Sequence, residues 1–213
     1  MLAFLKSLFY NFKYLPISQA LHLPIIVERN AFIKGNGSII LDIPVSKLKK
    51  GLISIGIDYE KCINTVTDKT YIYIYCKLRF LGEAHIGKNT KIVVLSKGAL
   101  SIGNNFRITG RSSFRVYRSV SIGSDCLFSW DILIMDYDGH KIIQDGVRIN
   151  DHKPITIGNK VWVGCRSSIW DGAEIPDNVV LGNNSVIRTK LPSPNCVYVG
   201  RGVVVREDIY WER

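Results

Sequence analysis

From residue 157 the chain repeats every six positions: IGNKVW, VGCRSS, IWDGAE, IPDNVV, LGNNSV, IRTKLP. An aliphatic residue opens each unit, at Ile157, Val163, Ile169, Ile175, Leu181 and Ile187. Four positions after the first five stand Val161, Ser167, Ala173, Val179 and Ser185, all small or β-branched. A helix would bring apolar residues round every three or four positions. Six is a multiple of two, so the pattern predicts short strands joined by regular turns. Glycine follows the aliphatic at Gly158, Gly164 and Gly182, and the intervening Asn and Asp residues are turn formers. Looser copies start at Ile86 and Ile92, at Ile102, Ile108 and Phe114, and at Ile122, Phe128 and Ile134, with a faint one at Ile55 and Gly56. Units that stack their inward aliphatics coil upon coil make a parallel β-helix, an all-β solenoid.

The register breaks between Ile134 and Ile157. A solenoid accommodates such an insertion by extruding it from one coil, and such loops carry function. The expected organisation is an N-terminal helical or irregular segment over 1–50, a β-helix over 51–205 with an extruded loop at 137–154, and a tail over 206–213. In the first segment Leu5, Leu8, Phe9 and Phe12 fall on one face of a predicted amphipathic helix. That face packs either on its own protein or on a membrane surface, the latter helped by Lys6 and Lys13.

Composition changes this picture little. Of 213 residues, 46% are hydrophobic and 22% charged, as in an ordinary globular domain. No apolar run reaches the roughly 18–20 residues of a membrane-spanning helix. Lysines interrupt the apolar start and no small-residue cleavage site follows, which does not fit a signal peptide. Five cysteines (Cys62, Cys76, Cys126, Cys165 and Cys196) are widely spaced without a CxxC pair, so free thiols in a reducing, cytoplasmic compartment are expected, and no structural zinc. A net charge of +10 favours anionic partners. The basic residues are scattered and form no nucleic-acid-binding motif, so a phosphate-bearing small molecule is favoured over nucleic acid.

The candidate chemistry lies where the chain leaves the coil, in IMDYDGHKI at 134–142. Tandem hexapeptides, an Asp-x-Asp-x-His element leading into an extruded loop, and the following ITIGNKVWVG together resemble the hexapeptide-repeat acyltransferases over roughly residues 80–200. The similarity is greatest to the sugar O-acetyltransferases related to maltose, galactoside, exopolysaccharide and lipopolysaccharide acetyltransferases. The resemblance implies a left-handed β-helix, a homotrimer with active sites between subunits, and acetyl transfer from acetyl-CoA to a sugar or glycan hydroxyl without a metal. A cytoplasmic enzyme of surface-polysaccharide biosynthesis, at the inner face of the membrane if the N-terminal segment touches it, fits that family.

Transfer from a thioester to a hydroxyl needs a base that takes the hydroxyl proton and passes it to the leaving thiolate, and histidine suits this near neutral pH. His140 matches the family's catalytic histidine. Asp138 is its matching aspartate, a candidate for orienting the histidine or the acceptor, or for forming the turn. Asp136, two residues earlier, is a candidate acceptor ligand. Trp162 sits outward in VWVG, where the resembling enzymes line their acyl or acceptor cleft; packing at a subunit interface is the alternative. Candidate coenzyme A contacts are Trp162, Gly164, Arg166, Lys190, Gly200 and Arg201, with Arg188 and Arg206 nearby. The family's Gly-x-Pro-Ala-Lys ending is here VGRGVVVRED, so Gly200 is kept without Pro-Ala. His152 reads as a solvated loop residue, and His22 and His85 have no evident partners. Three alternatives stand beside O-acetylation: transfer to an amine, a zinc hydratase resembling γ-class carbonic anhydrases through His85, His140 and His152, and a trimeric scaffold without catalysis.

Overall fold

The computed structural model describes residues 2–59 and 69–212. Its core is the solenoid that the period predicts. Three parallel sheets form the walls of a prism, and the chain visits them in strict rotation. The first coil is built by β1 (Ile25–Val27), β2 (Ala31–Lys34) and β3 (Ser38–Leu41), one strand to each wall. Every aliphatic of the clean repeats, from Ile157 to Ile187, is buried, as are the looser set from Ile86 to Ile134 and the five companions Val161, Ser167, Ala173, Val179 and Ser185.

The spacing of the repeats fixes the register. Trp162 pairs with Val180 and Ser168 with Val186, each eighteen positions on, which is one full coil of three hexapeptides. At the corners, Asn105, Asp125, Lys160 and Asn178 adopt positive φ, a conformation that Asn and Asp tolerate best. Their side chains link the coils: Asn105 donates to Asp125 at 2.7 Å and Asn178 to Asn195 at 2.8 Å. The glycine of each Ile-Gly pair has a steric cause, since a Cβ on Gly123 would collide with the backbone of Gly158 on the next coil.

The solenoid starts earlier than the sequence pattern indicates. The first coil spans 25–41, inside the segment assigned as helical or irregular, so the irregular part shrinks to the two helices α1 (Leu2–Tyr14) and α2 (Ile17–Ala20) and the connections around them. At the other end Val197–Val199 pairs antiparallel with Val203–Arg206, and this reversal ends the stack.

The amphipathic helix forms, but with the opposite face inward. Ser7, Tyr10 and Asn11 are buried, whereas Leu5, Phe9 and Phe12 are exposed. The reason lies in β1, the open edge of the first wall. The Ile25 N–H donates to Asn11 Oδ1 at 3.1 Å, Asn11 Nδ2 donates to the Ile25 carbonyl at 2.7 Å, and the Val27 N–H donates to Ser7 Oγ at 2.9 Å. An unpaired strand edge needs polar partners more than apolar ones. Cys76, Cys126, Cys165 and Cys196 carry free thiols, while Cys62 lies outside the described residues. Among the described residues no helix is long and apolar enough to cross a membrane.

Candidate active site

The extruded loop leaves strand Leu133–Met135 of the second wall and rejoins the third wall at Ile155–Ile157. Inside it, Ile143–Gln144 and Val147–Arg148 form an antiparallel hairpin. Its turn, Asp145-Gly146, has positive φ at both residues, which is what a two-residue hairpin turn demands.

Asp136 fixes the root of this loop. Its carboxylate accepts the backbone N–H groups of Tyr117 at 2.6 Å, Arg118 at 2.8 Å and Ser119 at 2.7 Å, all from the corner one coil below. It is 0% exposed. An acceptor sugar therefore cannot reach it, and the acceptor-binding role expected of Asp136 is replaced by a structural one. A carboxylate satisfied by three N–H donors is a strong clamp.

Beyond that root, Asn150 joins the two arms of the loop. Its Nδ2 donates to the His140 carbonyl at 2.7 Å and to Asp138 Oδ2 at 3.0 Å, while its Oδ1 accepts the Ile142 N–H at 2.8 Å. Asp138 is also ion-paired with Arg188 at 3.5 Å. Asp138 thus holds the loop backbone and Arg188, not the His140 ring. The His140 imidazole is exposed and makes no hydrogen bond within the described residues. Both ring nitrogens are free to meet a substrate. Asn150 was missed from the sequence because it lies ten residues from His140 in a stretch without periodicity.

Arg188 leads on to a cleft. Its guanidinium lies 4.7 Å from the centre of the Trp170 ring, and a cavity of about 460 Å³ is lined by Trp170, Val186, Arg188, Thr189 and Arg201. Of the expected cofactor contacts, Arg201 alone lies here. Lys190 stands on the third wall, paired with Glu174 at 3.1 Å. Arg166 is an exposed corner residue, and Gly200 is exposed with positive φ at a corner. Gly164 is buried, and a Cβ there would press on Leu181 and Asn183 of the next coil. Its glycine is required by stacking, so the cofactor contact expected of it is withdrawn.

Trp162 is 39% exposed on the first wall, tilted against Trp211 with ring centres 6.0 Å apart. Trp211 is anchored by donating Nε1–H to the Lys160 carbonyl at 2.9 Å. The C-terminal tail therefore lies against the coils beside Trp162. Trp162 sits on the first wall, whereas His140 lies in the loop that runs from the second wall to the third.

Two histidines differ from expectation. His152 is not a solvated residue. It lies edge-on to Tyr117 with ring centres 4.6 Å apart, and Arg148 approaches its Nε2 at 3.0 Å. Arginine only donates, so Nε2 accepts and the proton of the neutral ring sits on Nδ1. His85 has partners after all: Ser54 Oγ lies 2.7 Å from its Nδ1 and Glu83 3.0 Å from its Nε2. The order of groups matches a nucleophile, base and carboxylate relay. Ser54 is 1% exposed, however, so no substrate reaches it from this side. Burial alone would raise Glu83, but hydrogen bonds from Lys49 and His85 and their charges outweigh it and hold the carboxyl below its ordinary range. Among the described residues no three His, Cys, Asp or Glu side chains are placed to hold a metal ion, and His85 stands apart from His140 and His152.

Residues 154–189 match the family described as bacterial transferase hexapeptide (six repeats). The chain is 28% identical over 145 residues to a polysialic acid O-acetyltransferase of Escherichia coli O1:K1 / APEC, across 67% of this chain and 45% of that protein. It is 32% identical over 124 residues to the galactoside O-acetyltransferase of Escherichia coli K12, across 55% of this chain and 60% of the relative. It therefore spans between about half and three fifths of these two relatives. The crystal structure of the polySia-specific acetyltransferase NeuO superposes with a TM-score of 0.56 at 22% identity, over 89% of this chain and 79% of that one, and so shares the fold. The repeat match over 154–189, the three-walled coil and the superposition together show a hexapeptide-repeat, left-handed β-helix fold, similar to that of these acetyltransferases.

Proposed function

We propose that this protein is an acyl-CoA-dependent O-acyltransferase that acetylates a hydroxyl of a sugar or surface-glycan precursor. The observation that carries this reading is the His140 ring. It is exposed and unbonded, and Asn150 ties its backbone to Asp138, which is ion-paired with Arg188 of a cleft that holds two guanidinium groups and an indole. Those side chains fit a donor that combines phosphate charges with an apolar arm: Arg188 and Arg201 suit the phosphates, and Trp170 and Val186 the arm. Two similar proteins are named O-acetyltransferases, which favours a hydroxyl over an amine.

The proposed step is direct transfer. The acceptor hydroxyl attacks the thioester carbonyl as His140 takes its proton. The new C–O bond forms, the C–S bond breaks, and His140 returns the proton to the departing thiolate. Asp138 and Asn150 position the histidine by holding the loop, a role that fixes geometry without touching substrate. Trp162, on another wall, would complete the cleft from a neighbouring copy. This supports a trimer in which each site lies between subunits. The free thiols of the described residues suit a cytoplasmic enzyme.

The test is turnover. The full-length protein is incubated with acetyl-CoA and a panel of oligosaccharides and nucleotide sugars, and free thiol release is read together with acceptor mass. Acceptor-dependent thiol release with an added acetyl ester is expected. Thiol release without acetylated product across the panel, or acetylation of amines alone, would overturn the reading.

A further inference from the structure

The N-terminal cap presents its apolar side to the outside, and this inversion has a location. The cap touches all three walls of the first coil. Besides the bonds of Ser7 and Asn11 to β1, Lys6 Nζ donates to the Arg29 carbonyl at 2.9 Å, Tyr14 Oη–H to the Gly35 carbonyl at 3.1 Å, and Gln19 to the Leu41 carbonyl at 3.1 Å. Arg29 follows β1, Gly35 follows β2, and Leu41 ends β3. The two helices therefore lie across the end of the prism. Their outer face looks along the prism axis, away from the side walls through which neighbouring copies would pack.

That outer face is apolar and ringed by positive charge. Phe4, Leu5, Phe9 (59% exposed) and Phe12 protrude from α1, and Ile17 and Leu21 from the α2 region. A shallow groove runs among Leu5, Leu8, Phe9, Phe12 and Lys13. Lys13 Nζ lies 4.8 Å from the centre of the Tyr14 ring and Lys50 Nζ 5.6 Å from that of Phe4. The sequence holds no acidic residue before Glu28. A second copy packed face to face would set Lys13 against Lys13, and neither helix supplies a carboxylate to offset them. An apolar, cationic, end-on surface fits one occupant: the anionic face of a lipid bilayer.

We infer that the protein docks peripherally on anionic membranes through the exposed face of α1, with its β-helix axis rising from the bilayer. The extruded loop leaves the fifth strand of its wall, four inter-strand steps above the first coil, and α1 adds a helix diameter of about 10 Å, so the candidate site stands about 30 Å from the docking plane. Docking needs no acyl donor, so its failure and that of the acyltransferase reading are separate results.

The experiment is co-sedimentation of the full chain with vesicles of phosphatidylcholine alone, or of two parts phosphatidylcholine to one part phosphatidylglycerol. Partition into the anionic vesicles is expected to be at least about ten-fold stronger, and to weaken as salt rises. The double variant Phe9→Glu/Phe12→Glu should lose at least about ten-fold of that binding, with its mass by light scattering unchanged. A Phe9→Trp variant, which keeps the face apolar, should shift its emission to the blue when anionic vesicles are added. If the double variant fails to fold, the emission of the Phe9→Trp variant decides. Equal partition into both vesicle types, a change of oligomeric mass in the double variant, or an unshifted Phe9→Trp emission overturns the inference; the mass change would mean that another copy covers the face.

Discussion

Asp136 and Asn150 are the residues on which the loop depends, and they predict different failures. Asp136→Ala removes the buried acceptor of three part-buried backbone donors. At about 1–3 kcal/mol for each unsatisfied group the range is about 3–9 kcal/mol, and because the three donors are only part-buried the loss lies near its low end, about 3–5 kcal/mol. In a chain of this size that lowers the melting temperature by about 10 °C, which calorimetry reads directly; an unchanged melt would mean that the clamp carries no stability. Asn150→Ala leaves the coil intact but frees the His140 backbone. We expect kcat to fall about 10- to 100-fold while KM for the acyl donor stays within about two-fold. A fall in donor affinity instead would assign Asn150 to binding. Cys126 gives a third check. Burial pushes its thiol up to about 12, and its Sγ–H donates to the Gly158 carbonyl at 3.2 Å. Thiolate is therefore scarce at pH 8, and maleimide should modify the half-buried Cys165 there while Cys126 stays unmodified until the protein is denatured. Peptide mapping distinguishes the two.

Single elements show what periodicity can and cannot say. It located the inward stripe of every clean coil because Ile157, Val163, Ile169, Ile175, Leu181 and Ile187 are spaced by the geometry that buries them. It also found the stripe on α1 but could not tell what the stripe faces; that depended on the hydrogen-bonding need of β1, which a hydrophobic pattern does not encode. The early coils were illegible for a related reason. Ile25 pairs with Ile53 and Ile53 with Ala84, intervals of 28 and 31 residues instead of 18, so the six-residue period does not carry through these coils. The Asp145-Gly146 turn yields a prediction for the extruded hairpin. Gly146 has φ +76, where a β-branched residue is strained. Gly146→Val should open the hairpin and reduce turnover while the main melting transition of the β-helix stays in place, since a surface hairpin unfolds locally. A matching fall in the global melt would show that the loop is integral to the coil.

Across the whole molecule, the fold and the position of the catalytic candidate could be read from one chain, whereas the composition of the site could not. The point where the chain leaves the coil was legible because Ile134 is the last inward residue before the insertion, while the choice of His140 rests on its match to the family's Asp-x-Asp-x-His element; Arg201, expected from its charge near the end of the stack, lines the cleft. Gly164 and Asp136 were misread because their surroundings come from the coils above and below, seventeen to nineteen residues away in sequence. Trp162 stands on the first wall and His140 in the loop between the second and the third, an arrangement that fits the proposed sharing of sites between copies. The assignment of His140 as the base is tested most directly by comparing acetyl-CoA turnover, with an accepted glycan, between the wild-type protein and His140→Ala. A fall of at least about 100-fold with an unchanged melting temperature is predicted; turnover surviving within a few-fold would contradict the assignment.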